Sequence, residues 1–262
     1  YFDTQTDILN KPENVIVGKK IKRQAAMALH IILNGVALLL AFYISYSIGI
    51  WKLIYIYILI TALLWLYSAS FKRELLAGNI IAALLTAMVP LLTVLYEIPP
   101  LIHEYGEALL LLDININVLF HWILGFAAFA FLSNIIREII KDIEDFEGDK
   151  AYGRRSLPIS AGIQTSKIVI ASLIGLSILL LILSWVFFIR NKFQVPLLQI
   201  ITAGYFLAAL IAPFGILLHK IFKAESKEDW SAASKWSKLV MLFGILFALI
   251  IRFSYLAYSP NL

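Results

Sequence analysis

The chain contains no cysteine. That excludes a disulfide framework, a thiolate metal site and a cysteine nucleophile. Charge is scarce too: 15% of residues are Asp, Glu, Lys or Arg, against 61% hydrophobic. Ordinary globular domains hold about 25% charged and about 45–50% apolar residues. A water-soluble fold of 262 residues cannot cover that much apolar surface with so little polar surface. The sequence therefore predicts a chain dissolved in lipid. Its net charge of +5 then reports orientation, and no nucleic-acid partner is expected. No basic n-region with a short apolar h-region opens the chain, so no signal peptide is expected. The polar stretch YFDTQTDILNKPEN reads as part of a longer chain that starts upstream of Tyr1.

What the sequence has in abundance is long charge-free runs: 24–51, 53–71, 75–96, 114–136, 168–189, 193–219 and 239–251. A helix needs about 20 residues to cross about 30 Å of hydrocarbon. Six runs meet that directly or nearly so. The seventh continues past Arg252 to Tyr258, and an arginine near a span end can snorkel to the interface. Lipid offers no partner for a free backbone amide, so the expectation is an all-α polytopic membrane helical bundle with seven transmembrane helices. A β-barrel is excluded because the runs lack strict alternation and are too long for single strands.

Seven crossings sort the loops into two sets. Residues 1–23, 72–74, 137–167 and 220–238 carry 18 of the 22 Lys and Arg residues. The opposite set carries only Lys52, Arg190, Lys192 and Arg252. By the positive-inside rule the first set is cytoplasmic and the C-terminus is outside, which fits a protein of the cell (plasma) membrane. Outer residues 97–113 hold Glu97, Glu104, Glu107 and Asp113 and read as a solvated cap on the outer surface.

Two acidic clusters interrupt the basic side. One is Asp3 and Asp7; the other is Asp142, Asp145 and Asp149 within KDIEDFEGDK. Spacings of three and four residues put these side chains on one helix face. Like charges one turn apart repel and call for a counter-ion. Hard carboxylate oxygens without His or Cys suit Mg²⁺, which binds through one or two carboxylates plus substrate phosphates. A calcium loop fails: counting from Asp142, Phe146 stands at position 5 and Glu147 at position 6, where a ligand and a glycine are needed. A solvated charged helix end is the bland alternative for either cluster alone.

The clusters also match each other. Asp3 to Asp145 and Asp7 to Asp149 share one offset of 142 residues. In that register Val15 meets Leu157, Val17 meets Ile159 and Ile21 meets Ile163. Basic residues and a proline follow each cluster: Lys11 and Pro12, then Arg154, Arg155 and Pro158. Two such units facing each other would hold a diphosphate through Mg²⁺, with Lys and Arg on its oxygens. Lys141 and Arg137 lie within reach of the second cluster, and Lys72 and Arg73 sit on a short loop at the same membrane face. Lys19, Lys20, Lys220, Lys223, Lys227 and Lys238 read as orientation charges only.

These segments resemble the UbiA family of intramembrane prenyltransferases. DxxxD followed by NKP at 3–12 is similar to the end of its first motif, NDxxDxxxD. DIEDFEGDKAYGRRSLPI at 142–159 is similar to its second motif and the Leu-Pro tail after it. YSASFKR at 67–73 with Gly78 and Asn79 resembles its YSxxLKR…GN segment. The resemblance spans nearly the whole chain. It implies a nine-helix fold with a polar chamber at the cytoplasmic side, and a single intramembrane prenyltransferase domain over 1–262 whose first two helices would precede Tyr1. It implies chemistry in which the diphosphate of an allylic prenyl donor is neutralised, the C–O bond ionises and an acceptor attacks. Carried over, Asp3, Asp7, Asp145 and Asp149 match metal-binding aspartates, with Asp142 beside them. Lys11, Lys72 and Arg137 match basic positions, and Arg73, Lys141 and Arg154 join them as diphosphate-binding candidates. Tyr67 matches a tyrosine near the reacting end. The motif's Asn would lie upstream of Tyr1, and Asn14 stands where many relatives have a base.

REIIKDIEDFEGD at 137–149 and ASKWSKLVMLFG at 233–244 look like the subgroup that prenylates geranylgeranylglyceryl phosphate, which implies ether-lipid synthesis. The alternative is an aromatic acceptor of the 4-hydroxybenzoate type. A cation-coupled transporter would place ionisable groups at the bilayer midplane. Here the span interiors offer only His30, Asn34 and His121, so that class is the weaker reading. A non-catalytic scaffold would not need a duplicated aspartate pattern.

Overall fold

The computed structural model describes residues 12–111, 116–190 and 195–258, with Thr4 and Ile8. Among the described residues the regular structure is helical, apart from an isolated bridge between Val17 and Ile21. Seven helices are long and apolar enough to cross a membrane. We number the helices α1 (Arg23–Ser47), α2 (Ile54–Ala69), α3 (Ala77–Leu111), α4 (Asn117–Glu144), α5 (Phe146–Ala151), α6 (Leu157–Ala161), α7 (Ile163–Ile189), α8 (Pro196–Lys223) and α9 (Lys227–Tyr258). Helices α5 and α6 are short and lie between spans.

The spans follow the charge-free runs, but the helices outlast them. Helix α4 passes Arg137 and Lys141 to reach Glu144, and α9 begins at Lys227, well before its apolar run. Charges end the hydrocarbon segment without ending the hydrogen-bond ladder, because water or a counter-charge meets the side chain outside. Helix α3 likewise outlasts its run, continuing to Leu111 through Pro90, Pro99 and Pro100, so the exposed Glu97, Glu104 and Glu107 of the expected cap ride on a helix. Asp113 lies outside the described residues. Proline removes one amide bond, and membrane helices tolerate it where local adjustment re-satisfies the backbone. Helix α8 shows such an adjustment: a wide π-helical turn, Phe206–Ile211, directly precedes the Ala212–Pro213 step.

Packing is concentrated in α3, α4, α7, α8 and α9, with α3 against α4 the most extensive pairing. Ile136, Ile139, Ile140, Ile170, Ile174, Phe214, Leu217, Ile221 and Val240 form one buried core, joined by Ala83 of α3. A second, aromatic cluster gathers Phe206, Trp122, Phe126 and Tyr205 around Phe247. Helix α9 fits against α4 because Gly244 offers no side chain where the Phe129 ring lies; a Cβ there would overlap it. Polar pins complete the half. Tyr205 Oη donates to Phe243 O at 2.6 Å, and Trp236 Nε1 donates to Pro213 O at 2.9 Å. Buried Lys167 donates to Ala224 O at 2.8 Å and Phe222 O at 3.3 Å, with its ammonium 5.4 Å from the Trp230 ring centre.

The 142-residue register holds at Val15 and Leu157 but not at the glycines after them, Gly18 and Gly162, which stand 144 residues apart. Val15 and Leu157 are both buried, at 7% and 5% exposure. Each is followed by a glycine at positive φ, Gly18 at 87° and Gly162 at 89°, and then by a membrane span. Only glycine adopts that backbone without strain, so both loops turn sharply into the bilayer.

Candidate active site

Helix α4 is apolar to Ile136 and then changes character. Arg137, Glu138, Lys141 and Asp142 fill its last two turns. Asp145 closes it at φ −96° and ψ 10°. Local hydrogen bonding survives the break: the Asp149 amide donates to Asp145 O at 3.0 Å. The three- and four-residue spacing is thereby carried into α5, and Asp149 returns toward Asp145. Asp149 is 3% exposed. The following loop folds back on it. Arg154 donates its amide to Asp149 O at 3.0 Å, and its Nη1 stands 3.1 Å from Asp149 Oδ1. That oxygen receives no aligned hydrogen bond, so the pair is a charge contact. Burial pushes the Asp149 carboxyl up to about 6; Arg154, Lys72 and Lys141 oppose the rise, and the Asp145 charge adds to it.

The other wall comes from the α2–α3 connection. Helix α2 ends at Ala69 with Tyr67 half-buried in its last turn, and Phe71–Arg73 forms a single tight turn. Gly78 lets that turn sit on the head of α3: a Cβ at Gly78 would stand 2.7 Å from Phe71 O and 3.0 Å from Lys72 Cα. Next to it, Asn79 Nδ2 donates to Asp142 Oδ2 at 2.8 Å, joining α3 to α4. Lys72 is thus brought close enough for its charge to act on Asp149 across the site.

The structure brings Asp142, Asp145, Asp149, Lys72, Lys141 and Arg154 to one end of the bundle. Arg137 is paired with Glu138, its Nη1 2.7 Å from Glu138 Oε1. Asp3, Asp7 and Lys11 lie outside the described residues, as does the Arg73 side chain. The sequence pattern names Asn79 within the YSASFKR…GN segment without giving it a role, and it does not single out Glu138, which continues the carboxylate face one turn back. His30, Asn34 and His121 find partners within their own helices: Asn34 Nδ2 donates to His30 O at 2.8 Å and His121 Nδ1 donates to Asn117 O at 2.6 Å. An apolar hollow lined by Leu53, Met88, Leu95, Pro99 and Phe120 lies toward the far end of α3. It offers almost nothing polar for a diphosphate.

Among the described residues, no three His, Asp or Glu side chains converge as a complete metal cage. The donors present nonetheless fit Mg²⁺, which takes hard oxygens and is usually held by one or two carboxylates with phosphate oxygens and water completing the shell. The buried Asp149 carboxylate beside Asp145 is electrostatically costly when empty, and a divalent cation offsets that cost.

A bundle of apolar helices with buried carboxylates and cations gathered at one end is an integral membrane protein with a polar site at the bilayer edge. A model of the UbiA prenyltransferase family matches residues 1–242, and the chain belongs to that family. It is accordingly a prenyltransferase, of a family that takes a prenyl diphosphate donor and is generally metal-dependent. It is 34% identical over 246 residues to a digeranylgeranylglyceryl phosphate synthase of Methanosphaera stadtmanae, covering 94% of this chain and 78% of that one. A protein of the same name from Methanothermobacter thermautotrophicus is 30% identical, over 92% of this chain and 72% of that one. A solved structure described as concerning digeranylgeranylglyceryl phosphate synthase in membranes aligns with a TM-score of 0.58 at 26% identity, covering 94% of this chain and 77% of that one.

Proposed function

We propose that this chain, as a single domain over 1–262, transfers a geranylgeranyl group from its diphosphate to geranylgeranylglyceryl phosphate, a step of ether-lipid synthesis. The observation that carries the reading is the meeting of Asp145 and Asp149 with Lys72, Lys141 and Arg154, which is the charge pattern a metal-bound diphosphate requires. The names of the relatives support the acceptor.

Asp145 and Asp149 would hold Mg²⁺, with Asp3 and Asp7 as the matching pair. The bound ion would neutralise the diphosphate and make it a competent leaving group. Lys72, Lys141 and Arg154 donate to non-bridging oxygens, and Arg137, Arg73 and Lys11 form the outer part of the basic rim. These fixed charges are already in place when charge develops, so little reorganisation opposes the reaction. As the bond between C1 and the diphosphate oxygen breaks, the diphosphate keeps the electron pair. Tyr67, one turn inward from Lys72, presents a ring to the allylic cation. The acceptor's glycerol oxygen then bonds C1 and its hydroxyl proton is released.

The site faces the cytoplasm in this reading, following the charge bias of the loops. Tyr152 is 46% exposed and Tyr105 is 56% exposed. Cysteine introduced at Tyr152 should be labelled only from the cytoplasmic side, and at Tyr105 only from outside; the reverse pattern overturns the orientation. The test of function is incubation with Mg²⁺ and labelled geranylgeranyl diphosphate, with geranylgeranylglyceryl phosphate and 4-hydroxybenzoate offered in parallel. Label in the ether lipid is expected. Label only in the aromatic product would replace the acceptor, and no metal-dependent product at all would sink the reading.

A further inference from the structure

Asp142 shares a helix face with Asp145 and Asp149, and by spacing alone it belongs with them. Its contacts separate it. Asp142 Oδ2 accepts a 2.8 Å hydrogen bond from Asn79 Nδ2, across 63 residues of sequence and between two spans. Asn79 is itself only 8% exposed, and its amide stands in the first turn of α3. The residue before it, Gly78, is the seat of the Phe71–Arg73 turn, where a Cβ would press on Phe71 O and Lys72 Cα. Two adjacent residues at the head of α3 therefore do complementary things. One grips α4 through Asp142; the other fixes the backbone from which Lys72 reaches toward Asp149.

The consequence is geometric. Lys72 sits on a turn anchored to α3, while Asp149 sits on α5, which follows α4 directly across Asp145. Their separation depends on how the head of α3 is registered against the end of α4. Ser, Thr, Asn and similar side chains give such registration between membrane helices, where lipid supplies no competing partner. The Asn79 hydrogen bond is the side-chain contact at that point.

We propose that Asp142 is a positioning residue and not a metal ligand: with Asn79 it locks α3 to α4 and so sets the Lys72 ammonium opposite the metal-facing carboxylates. This rests on the diphosphate-binding reading above. It makes a distinction by chemistry. In Asp142→Asn the new amide oxygen still accepts from Asn79, so the lock survives while the negative charge is lost. In Asp142→Ala and Asn79→Ala the lock is broken.

The experiment measures Mn²⁺ binding by electron paramagnetic resonance, with inorganic diphosphate as the probe, on the full chain in detergent, alongside melting temperature. Asp142→Asn should bind Mn²⁺ and diphosphate as the wild type does, with an unchanged melting temperature. Asn79→Ala and Asp142→Ala should each weaken diphosphate by about tenfold, the value of one lost charge-assisted hydrogen bond, and melt lower, while Mn²⁺ alone binds normally. Asp149→Asn should lose Mn²⁺. If Asp142→Asn loses Mn²⁺ as Asp149→Asn does, Asp142 is a ligand and the inference is overturned while the functional reading stands. If Asn79→Ala behaves as wild type in both readouts, the lock is absent and the inference fails. A wild-type protein that binds neither ion nor diphosphate removes the functional reading and this inference with it.

Discussion

Helices α1 and α4 are both apolar spans, yet they live differently. Helix α1 buries only Ala41 and Ser45, and α2 buries nothing. Helix α4 buries Ala127, Ser133, Asn134, Ile135, Ile136, Ile139, Ile140 and Ile143. In water, hydrophobicity would predict burial for both. In lipid it predicts only insertion, because the hydrocarbon solvates leucine as well as a protein core does. What separates the two helices is shape and polarity: Gly244 admitting Phe129, isoleucines interlocking, and a carboxylate face on the last turns of α4 that needs walls around it. Helices α1 and α2 meet α3 through a smaller contact away from the carboxylates, where Ser45 Oγ and Tyr96 Oη share a 2.7 Å hydrogen bond and Tyr57 packs edge-on to Tyr96, and through the Phe71–Arg73 turn on Gly78.

The largest effect expected from breaking this contrast lies at Asp149. Asp149→Asn removes a charge from the proposed metal-binding pair and should lower turnover by at least about 10³-fold, or roughly 4 kcal/mol of transition-state stabilisation. The same change should leave the metal-free protein no less stable, since it discharges a buried carboxyl. Steady-state rates and melting curves on one preparation check both halves. Near-normal turnover at saturating Mg²⁺ would reduce the cluster to a solvated helix end.

Next in size is the packing contrast itself. Phe214 is 1% exposed and Leu39 is 71% exposed. Because lipid already solvates an unpacked ring, truncating Phe214 to Ala should cost mainly its cavity: roughly 24 cal/mol per Å³ over roughly 100 Å³, or about 2 kcal/mol. Leu39→Ala faces lipid before and after and should fall within about 0.5 kcal/mol of zero. Unfolding titrations in mixed micelles compare them. Equal costs would mean that the lipid-facing side of α1 has a protein partner.

How much of this could be read from the chain follows from the same physics. The seven spans were legible because an uninterrupted apolar run admits one structure in lipid. Their ends were not: charges at Arg137, Lys141 and Lys227 mark where hydrocarbon stops, while helix α4 runs on to Glu144 and α9 starts at Lys227. Nor does the acidic composition around Pro99 and Pro100 show that the helix runs on to Leu111. Within the site, spacing along one helix exposed the face of Asp142, Asp145 and Asp149. It could not show what faces them. The Asn79 contact, the seat at Gly78 and the pairing of Arg137 with Glu138 all depend on the approach of side chains or segments that periodicity does not encode.

The smallest expected effect concerns pH, and it divides the carboxylate half from the lipid-facing half once more. Asp149 titrates near 6, above the ordinary carboxylate value of 3.8. A protonated carboxyl cannot bind Mg²⁺, so lowering pH from 7 to 6 should weaken metal binding only about twofold, as ionisation falls from nearly complete to half. Saturating Mg²⁺ should move this acid limb lower, because the bound ion favours the charged form. The stability of the metal-free protein must run the other way. Between 3.8 and about 6 the folded state holds a proton that the unfolded state releases, so stability rises as pH falls through that window and is lost as pH climbs out of it. Asp149→Asn should remove the Asp149 share of both slopes, and Leu39→Ala should leave them unchanged. Melting temperatures of the metal-free protein between pH 4 and pH 7, for wild type and both variants, decide it. A wild-type curve that falls on acidification relative to that of Asp149→Asn would show that Asp149 is stabilised as an anion by the fold, and that its burial calls for no metal.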